Sequence, residues 1–270
     1  MESALSNWNG KLSELWALLS QTPETFKGGQ VWQVILTIHE TMRGVGYGLL
    51  VLFFAMGVFQ SAASFRDVQR PEYALRHLIR FIAAKVAVGY SMEVMLTIFN
   101  ICGGIVNSVM SGMGGMVSAG TALPAELVTA IESVGFLMSI PLWLAALLGW
   151  VVITVLSFIL ILTVYGRFFK LYLFTALAPL PLASFAGEGT AASGKAFLKS
   201  YIGVCMEGAV IVLACVIYTA FLSSDAPAVD ASLSATTMAF QYIGQLIFNM
   251  LVLTGLVKGA DRIAKEIFGL

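Results

Sequence analysis

Apolar residues run along this chain in long blocks separated by short polar and charged stretches. An α-helix rises 1.5 Å per residue, so about 20 apolar residues cross the hydrocarbon core of a bilayer. Five blocks have that length: 44–65, 81–101, 141–164, 201–222 and 239–257. The region 133–166 is charge-free for 34 residues, about 51 Å of helix. That is too long for one upright span and too short for two with a turn. Pro141 is expected to divide it, with 127–140 near the surface and 141–164 crossing. Residues 171–187 form a further charge-free piece, interrupted by Pro179 and Pro181. Each proline removes a backbone donor, and a break facing lipid would leave backbone groups unsatisfied. The piece is therefore a re-entrant or interfacial segment, or a broken span packed inside protein. The expected fold is an all-α polytopic membrane protein with about five transmembrane helices.

Two amphipathic stretches precede the first block. Leu5, Trp8, Leu12, Leu15, Trp16 and Leu19 recur at spacings of three and four, one face of an N-terminal helix over 1–21. Tryptophans on that face suit a membrane interface, and packing on neighbouring protein accounts for it equally well. Thr22-Pro23 and Gly28-Gly29 end this helix, and 31–42 leads into the first span. Gly44 and Gly48 form a small-xxx-small face there, a pattern common by chance. The glycine–methionine stretch at 103–104 and 112–116 reads as a loop outside the membrane, a contact surface or a plain linker.

Composition narrows the class. Of 270 residues, 59% are apolar and 11% charged, and the mean hydropathy is +0.89. Soluble domains carry about 25% charged residues. An ordinary soluble enzyme, a disordered protein and a nucleic-acid coat are excluded as first readings. Fifteen basic and fifteen acidic residues cancel, so their placement carries the information. If 171–187 does not cross, twelve lysines and arginines fall on one side and only Lys11, Lys27 and Arg43 on the other. If it crosses, the split is seven to eight. The positive-inside rule favours five crossings, with the N-terminus outside and the C-terminus in the cytoplasm of a bacterial cell. Residues 1–43 are then an extracytoplasmic region, 44–257 the transmembrane domain and 258–270 a cytoplasmic tail. Arg66, Arg70, Arg76, Arg80, Lys195 and Lys199 are cytoplasmic basic contacts; the loop from Arg66 to Arg80 reads as a topology signal and an anionic-lipid contact, or as a docking surface for a cytoplasmic partner.

Catalytic chemistry is hard to assemble from these residues. Cys102, Cys205 and Cys215 lack a C-x-x-C pair and read as small apolar packing residues. Gly189-Thr-Ala-Ala-Ser-Gly194-Lys195 resembles a phosphate loop, but Ala196 stands where magnesium needs Ser or Thr. His39 and His77 are far apart, and no sequence cluster has metal-ligand spacing. The expectation is a non-enzyme with no metal and no cofactor. Charges inside the expected spans are the remaining candidates. From the cytoplasmic end, Glu93 lies about 18 Å deep, Glu207 about 10 Å and Lys85 about 6 Å. They line a hydrated interior or a subunit interface, or they form a structural ion pair, with Lys85 snorkelling or reaching Glu207.

The stretch Leu173-Phe-Thr-Ala-Leu-Ala-Pro-Leu-Pro-Leu-Ala-Ser184, followed by Lys199-Ser-Tyr-Ile-Gly-Val-Cys-Met-Glu207, resembles the TrbL family of polytopic inner-membrane subunits of type IV secretion and conjugation machines. The resemblance covers roughly 44 to the C-terminus and is closest to versions carried by Gram-positive conjugative elements. It implies a structural or channel subunit that oligomerises, as a ring, and helps translocate single-stranded DNA or protein. Other secretion subunits and their ATPases are the implied partners and supply the energy. No catalytic residue carries over. Pro179 and Pro181 in the broken segment, Lys195, Lys199, Glu93 and Glu207 are the positions to follow. A small-solute transporter or ion channel with a broken-helix site at 171–187 is the alternative.

Overall fold

The computed structural model describes residues 2–63, 71–112, 123–132, 135–224 and 234–269. Among them, regular secondary structure is entirely helical. The helices are α1 (Glu2–Leu19), α2 (Gln30–Ala63), α3 (Pro71–Gly89), α4 (Ser91–Gly112), α5 (Ala125–Glu132), α6 (Phe136–Leu177), α7 (Pro179–Ala183), α8 (Ala191–Ser224) and α9 (Ala235–Ile267), with short 3-10 turns at Phe26–Gly29 and Ser184–Ala186. Among the described residues, five helices are long and apolar enough to cross a membrane: Phe26–Ser61, Ser91–Gly112, Ser139–Leu177, Ala191–Leu222 and Thr236–Ile267. The protein is an all-α polytopic membrane protein, with the number of spans expected from its apolar blocks. Large exposed apolar side chains such as Phe59, Trp143 and Leu162 need no protein partner when lipid surrounds them.

Several boundaries differ from the expected ones. The amphipathic stretch 31–42 and the first apolar block fuse into α2, a single helix of 34 residues. The second span starts at Ser91, because the chain bends at Tyr90 between α3 and α4. Gly89 weakens the helix there, and Ser91 Oγ turns back to Val88 O at 2.8 Å, a local bond that competes with the helical ladder. Lys85 therefore belongs to α3, and Gly103 and Gly104 lie within α4. Pro141 does not divide the third apolar run. It sits inside α6, close enough to the helix start to displace a single backbone bond. The same helix continues through 171–177 for 42 residues in all, about 63 Å, so only the part from Pro179 onward is broken. Arg66, Arg70 and the 113–116 part of the glycine–methionine stretch lie outside the described residues.

Two compact units divide the chain. One comprises Met1–Ser20, Val106–Gly166 and Gly208–Asp261. Within it, α1 buries Leu5, Trp8, Leu15 and Leu19, so its apolar face is packed against protein. An isolated helix of 18 residues is marginal; this one is held by that burial and by Tyr165, whose hydroxyl donates to Glu14 Oε1 at 3.1 Å. Lys11 Nζ neutralises the same carboxylate at 2.6 Å.

The other unit comprises Gln21–Ile105, Arg167–Glu207 and Arg262–Leu270. Phe26 stacks on Phe168 with ring centroids 4.1 Å apart, and Tyr172 donates its hydroxyl to Pro23 O at 2.8 Å. The centre of this unit is α7 with its following turn, packed on α2 and α3. Trp32, Ile35, His39, Gly46, Leu50 and Gly57 are the buried positions of α2 that share this face, at the three-four spacing of one helical stripe. Gly46 sets the approach distance. A Cβ built on it would stand 2.9 Å from Pro179 O and 3.0 Å from Pro179 Cβ, whereas Gly44 and Gly48 have nothing within 4 Å. The close-packing glycine is thus Gly46, and the Gly44–Gly48 pair has no such role within this unit.

Gly46→Ala should destabilise the purified chain in detergent by roughly 1–3 kcal/mol, the usual cost of overpacking. Gly44→Ala and Gly48→Ala should instead gain about 0.5–1 kcal/mol from improved helix propensity. Thermal unfolding of the three variants checks the contrast.

Candidate functional site

The break after α6 follows from Pro179. In an unbroken helix the amide of residue 179 would pair with the carbonyl of residue 175, and proline has no N–H to offer. A side chain supplies the donor instead: His39 Nδ1 lies 2.7 Å from Thr175 O. A carbonyl only accepts, so Nδ1 carries a proton. Ala178 N adds a longer contact to the same oxygen at 3.4 Å. On the far side of the ring, Nε2 meets Ser91 Oγ at 3.0 Å. Ser91 Oγ also lies 2.8 Å from Val88 O, so its single proton serves one of these two acceptors at a time. His39, Thr175 and Ser91 are all buried. One imidazole on α2 thereby ties the end of α6 to the start of α4.

Around Pro179 the segment is closely packed, and its hydroxyls are satisfied internally. Ala178, Ala183 and Ala186 are fully buried. Ser184 Oγ donates to Pro181 O at 2.6 Å, and Thr190 Oγ1 donates to Ser184 O at 2.7 Å. Within its unit the segment from Pro179 onward packs on α2 and α3. Gly194 in the phosphate-loop look-alike has a packing role: a Cβ there would meet the Phe185 ring and Ser184 Oγ at 2.9 Å.

Charged residues gather nearby. Arg167 is 1% exposed; its Nη2 donates to Cys205 O at 3.2 Å, while Nε and Nη1 have no hydrogen-bond partner among the described residues. The guanidinium carbon lies 5.9 Å from the centres of the Phe99 and Phe168 rings, within reach of their electron-rich faces. Lys170 Nζ pairs with the buried Glu207 at 3.4 Å. Lys85 is exposed on α3, so the cation paired with Glu207 is Lys170, three residues beyond Arg167. Glu93 is also exposed, in the first turn of α4. It stands at the end of its span, where the helix dipole favours a carboxylate, because the span begins ten residues later than the sequence blocks indicate. Cys102 and Cys205, on different helices, are both free and buried.

A second cluster lies where α3 meets the loop before α8. Arg80 Nη2 pairs with Glu188 Oε1 at 3.0 Å, and Arg80 Nη1 is buried with no hydrogen-bond partner among the described residues. The hydrogen bond from Arg80 holds the Glu188 carboxyl below the usual carboxylate range. Arg76, Lys195 and Lys199 are exposed.

A family model described as "TrbL/VirB6 plasmid conjugal transfer like protein" matches residues 8–179. The chain belongs to this TrbL/VirB6-like family. It is accordingly a component of conjugal transfer or type IV secretion machinery, working alongside other transfer-system subunits, in a family of structural components. No curated protein and no solved structure matches the chain. The TrbL/VirB6 match begins in α1 and stops at the first proline of the break, so Pro181, Lys195, Lys199 and Glu207 lie beyond it.

Sequence reasoning missed His39, Gly46, Arg167 and Lys170 as parts of this TrbL/VirB6 unit. The two cations had a visible signal: they sit alone between charge-free runs of 34 and 17 residues. The partner of Thr175 had none, because it lies 136 residues away in sequence.

His39→Ala should cost roughly 1–3 kcal/mol by stripping a buried carbonyl of its donor, and His39→Gln, which keeps an N–H, should lose less. Equal losses in detergent melts would show that Thr175 is not what His39 serves. For the ion pair, Lys170→Met should destabilise by roughly 1–3 kcal/mol, and adding Glu207→Gln should restore part of that loss. A double variant no more stable than Lys170→Met would mean the pair is uncoupled.

Proposed function

We propose that this chain is a membrane-embedded structural and channel component of a conjugative type IV secretion machine. It oligomerises as a ring in the cytoplasmic membrane and helps pass single-stranded DNA or protein delivered by the machine's ATPases. Its N-terminus lies outside and its C-terminus in the cytoplasm, as the lysine and arginine distribution favours. Residues 1–43 and 258–270 are the flanking regions of a transmembrane domain.

One observation carries the channel reading, and it is the surface of α4. Ser91, Met95, Phe99, Cys102 and Val106 are buried against protein. Ile101 and Ile105 are exposed and, with the half-buried Val94 and Ile98, make a second, lipid-compatible stripe. Glu93, Thr97, Asn100, Gly104, Asn107 and Ser111 form a third face, exposed throughout. It extends over about 27 Å, nearly the thickness of the hydrocarbon core. Thr97 and Ser111 satisfy their hydroxyls on their own helix backbone. The Asn100 and Asn107 amides and the Glu93 carboxylate are costly against lipid, and side chains of this kind face a water-filled path or another polar helix. Three faces on one helix thus specify three neighbours: protein, lipid, and water or a second copy.

The solute-transporter alternative places its site in the broken segment. The full burial of Ala178, Ala183 and Ala186 weighs against a solute site at the break itself.

The test is cysteine accessibility in a chain whose native cysteines are replaced by alanine. In donor-cell membranes Asn100→Cys and Asn107→Cys should react with a membrane-impermeant maleimide, or crosslink between copies, while Ile101→Cys and Ile105→Cys do neither. Asn100→Leu should reduce conjugal transfer to background while the protein still reaches the membrane. Equal labelling at Asn100 and Ile101, or full transfer by Asn100→Leu, refutes the lining role.

A further inference from the structure

A cavity of about 510 Å³ opens beside the Arg80–Glu188 pair, lined by Arg80, Ala83, Ala87, Phe185, Glu188, Ala191 and Lys195. Its volume is in the range of small-ligand sites. Its lining has two ends of different chemistry. Ala83 and Ala87 lie one turn apart on α3, and Ala191 opens α8; with the Phe185 ring they form an apolar floor kept low by methyl groups. Arg80 and Lys195 stand one turn from that floor, on α3 and α8 respectively. Arg80 gives one nitrogen to Glu188 and keeps another, Nη1, buried without an acceptor among the described residues. Lys195 is exposed. Two cations and one carboxylate leave the lining at a net charge of about +1.

We propose that this groove binds an anionic glycerophospholipid, its phosphate on Arg80 and Lys195 and its acyl chains along the alanine floor. Two features choose a lipid over a soluble anion. Beside the alanines, α3 exposes Leu75, Leu78, Ile79, Ile82 and Val86, an apolar stripe continuous with the floor. The groove also sits where the polar loop at 187–190 gives way to α8, whose Ala191–Leu222 stretch is long and apolar enough to cross a membrane, so polar and apolar lining adjoin as a headgroup and its acyl chains do. A water-soluble phosphate would use the cations and leave the apolar floor bare. This inference rests on the protein being a membrane protein and not on its role in transfer.

The test uses the full-length chain purified in detergent, with lipid retention read by native mass spectrometry and by thermal shift. Phosphatidylglycerol should be retained and should raise the melting temperature, whereas phosphatidylcholine and inorganic phosphate should not. Lys195→Gln should weaken phosphatidylglycerol binding by roughly tenfold. Ala83→Phe keeps every charge and fills the groove, and should abolish retention. Both residues are exposed, so both variants keep the fold. Protection by inorganic phosphate alone would reveal a free-anion site and overturn the lipid assignment. Equal retention of phosphatidylcholine, or unaltered phosphatidylglycerol binding by Ala83→Phe, would overturn it as well. Since the readout is lipid binding, a negative result leaves the transfer reading untouched.

Discussion

A carbonyl inside an apolar protein must find a donor, and Pro179 withholds the one that Thr175 would otherwise use. Much of the unit around the broken segment follows from that deficit. The substitute donor is an imidazole on α2, so α2 has to lie against the end of α6. His39 and Gly46 are seven residues apart, two helical turns along one face. The stripe that brings the imidazole to Thr175 therefore also brings a residue without a side chain to Pro179 itself, where a Cβ would stand 2.9 Å from the proline carbonyl. Ser91 completes the arrangement by engaging the second ring nitrogen. The bend between α3 and α4 that places Ser91 there is also what moves the second span and puts Glu93 at its end.

Run length made the number of spans legible, since crossing lipid is a matter of how many consecutive residues tolerate it. Where each helix starts and stops was less legible, because those points depend on bonds between distant residues. Pro141 and Pro179 show the difference. Both are prolines in apolar runs, yet one sits near a helix start, where few backbone bonds exist to lose, and the other ends the helix. Neither fate is written in the neighbouring residues alone. The glycines behave likewise: Gly44, Gly46 and Gly48 are equivalent as letters, and only the position of Pro179 singles out the middle one. Arg167 and Lys170 follow a span of sufficient length, which in the sequence alone makes them look like loop cations. The helix instead carries on past them, with Lys170 paired to Glu207 and Arg167 enclosed by two aromatic rings and a backbone carbonyl.

Charge placement obeys one rule in three settings. At Lys170–Glu207 a carboxylate is buried and its cation is partly exposed, so neutralisation comes from within the protein. At Arg80–Glu188 both partners reach solvent, and the ion pair pins the loop before α8 to α3 at modest energetic value. On α4, Asn100 and Asn107 are exposed, with no such ion pair among the described residues. The first two settings complete the fold. The third leaves polar side chains at the surface, which the proposed channel role would set against water or a second copy.

The same close packing that satisfies the break also builds the lipid groove. Gly187 lets the chain pass tightly over α2, since a Cβ there would lie 2.7 Å from Phe53 O, and Gly194 admits the Phe185 ring beneath the first turn of α8. Those contacts fix Phe185 as one wall of the groove and hold Glu188 within reach of Arg80. A larger residue at either glycine would push the 184–190 turn away from α2 or α8 and separate the cations from the alanine floor. The break in the helix ladder is thus coupled to the surface of the unit through rigid backbone contacts. A lipid seated against Arg80 and Lys195 would join α3 to α8 across the same turn that His39 and Gly46 anchor from beneath.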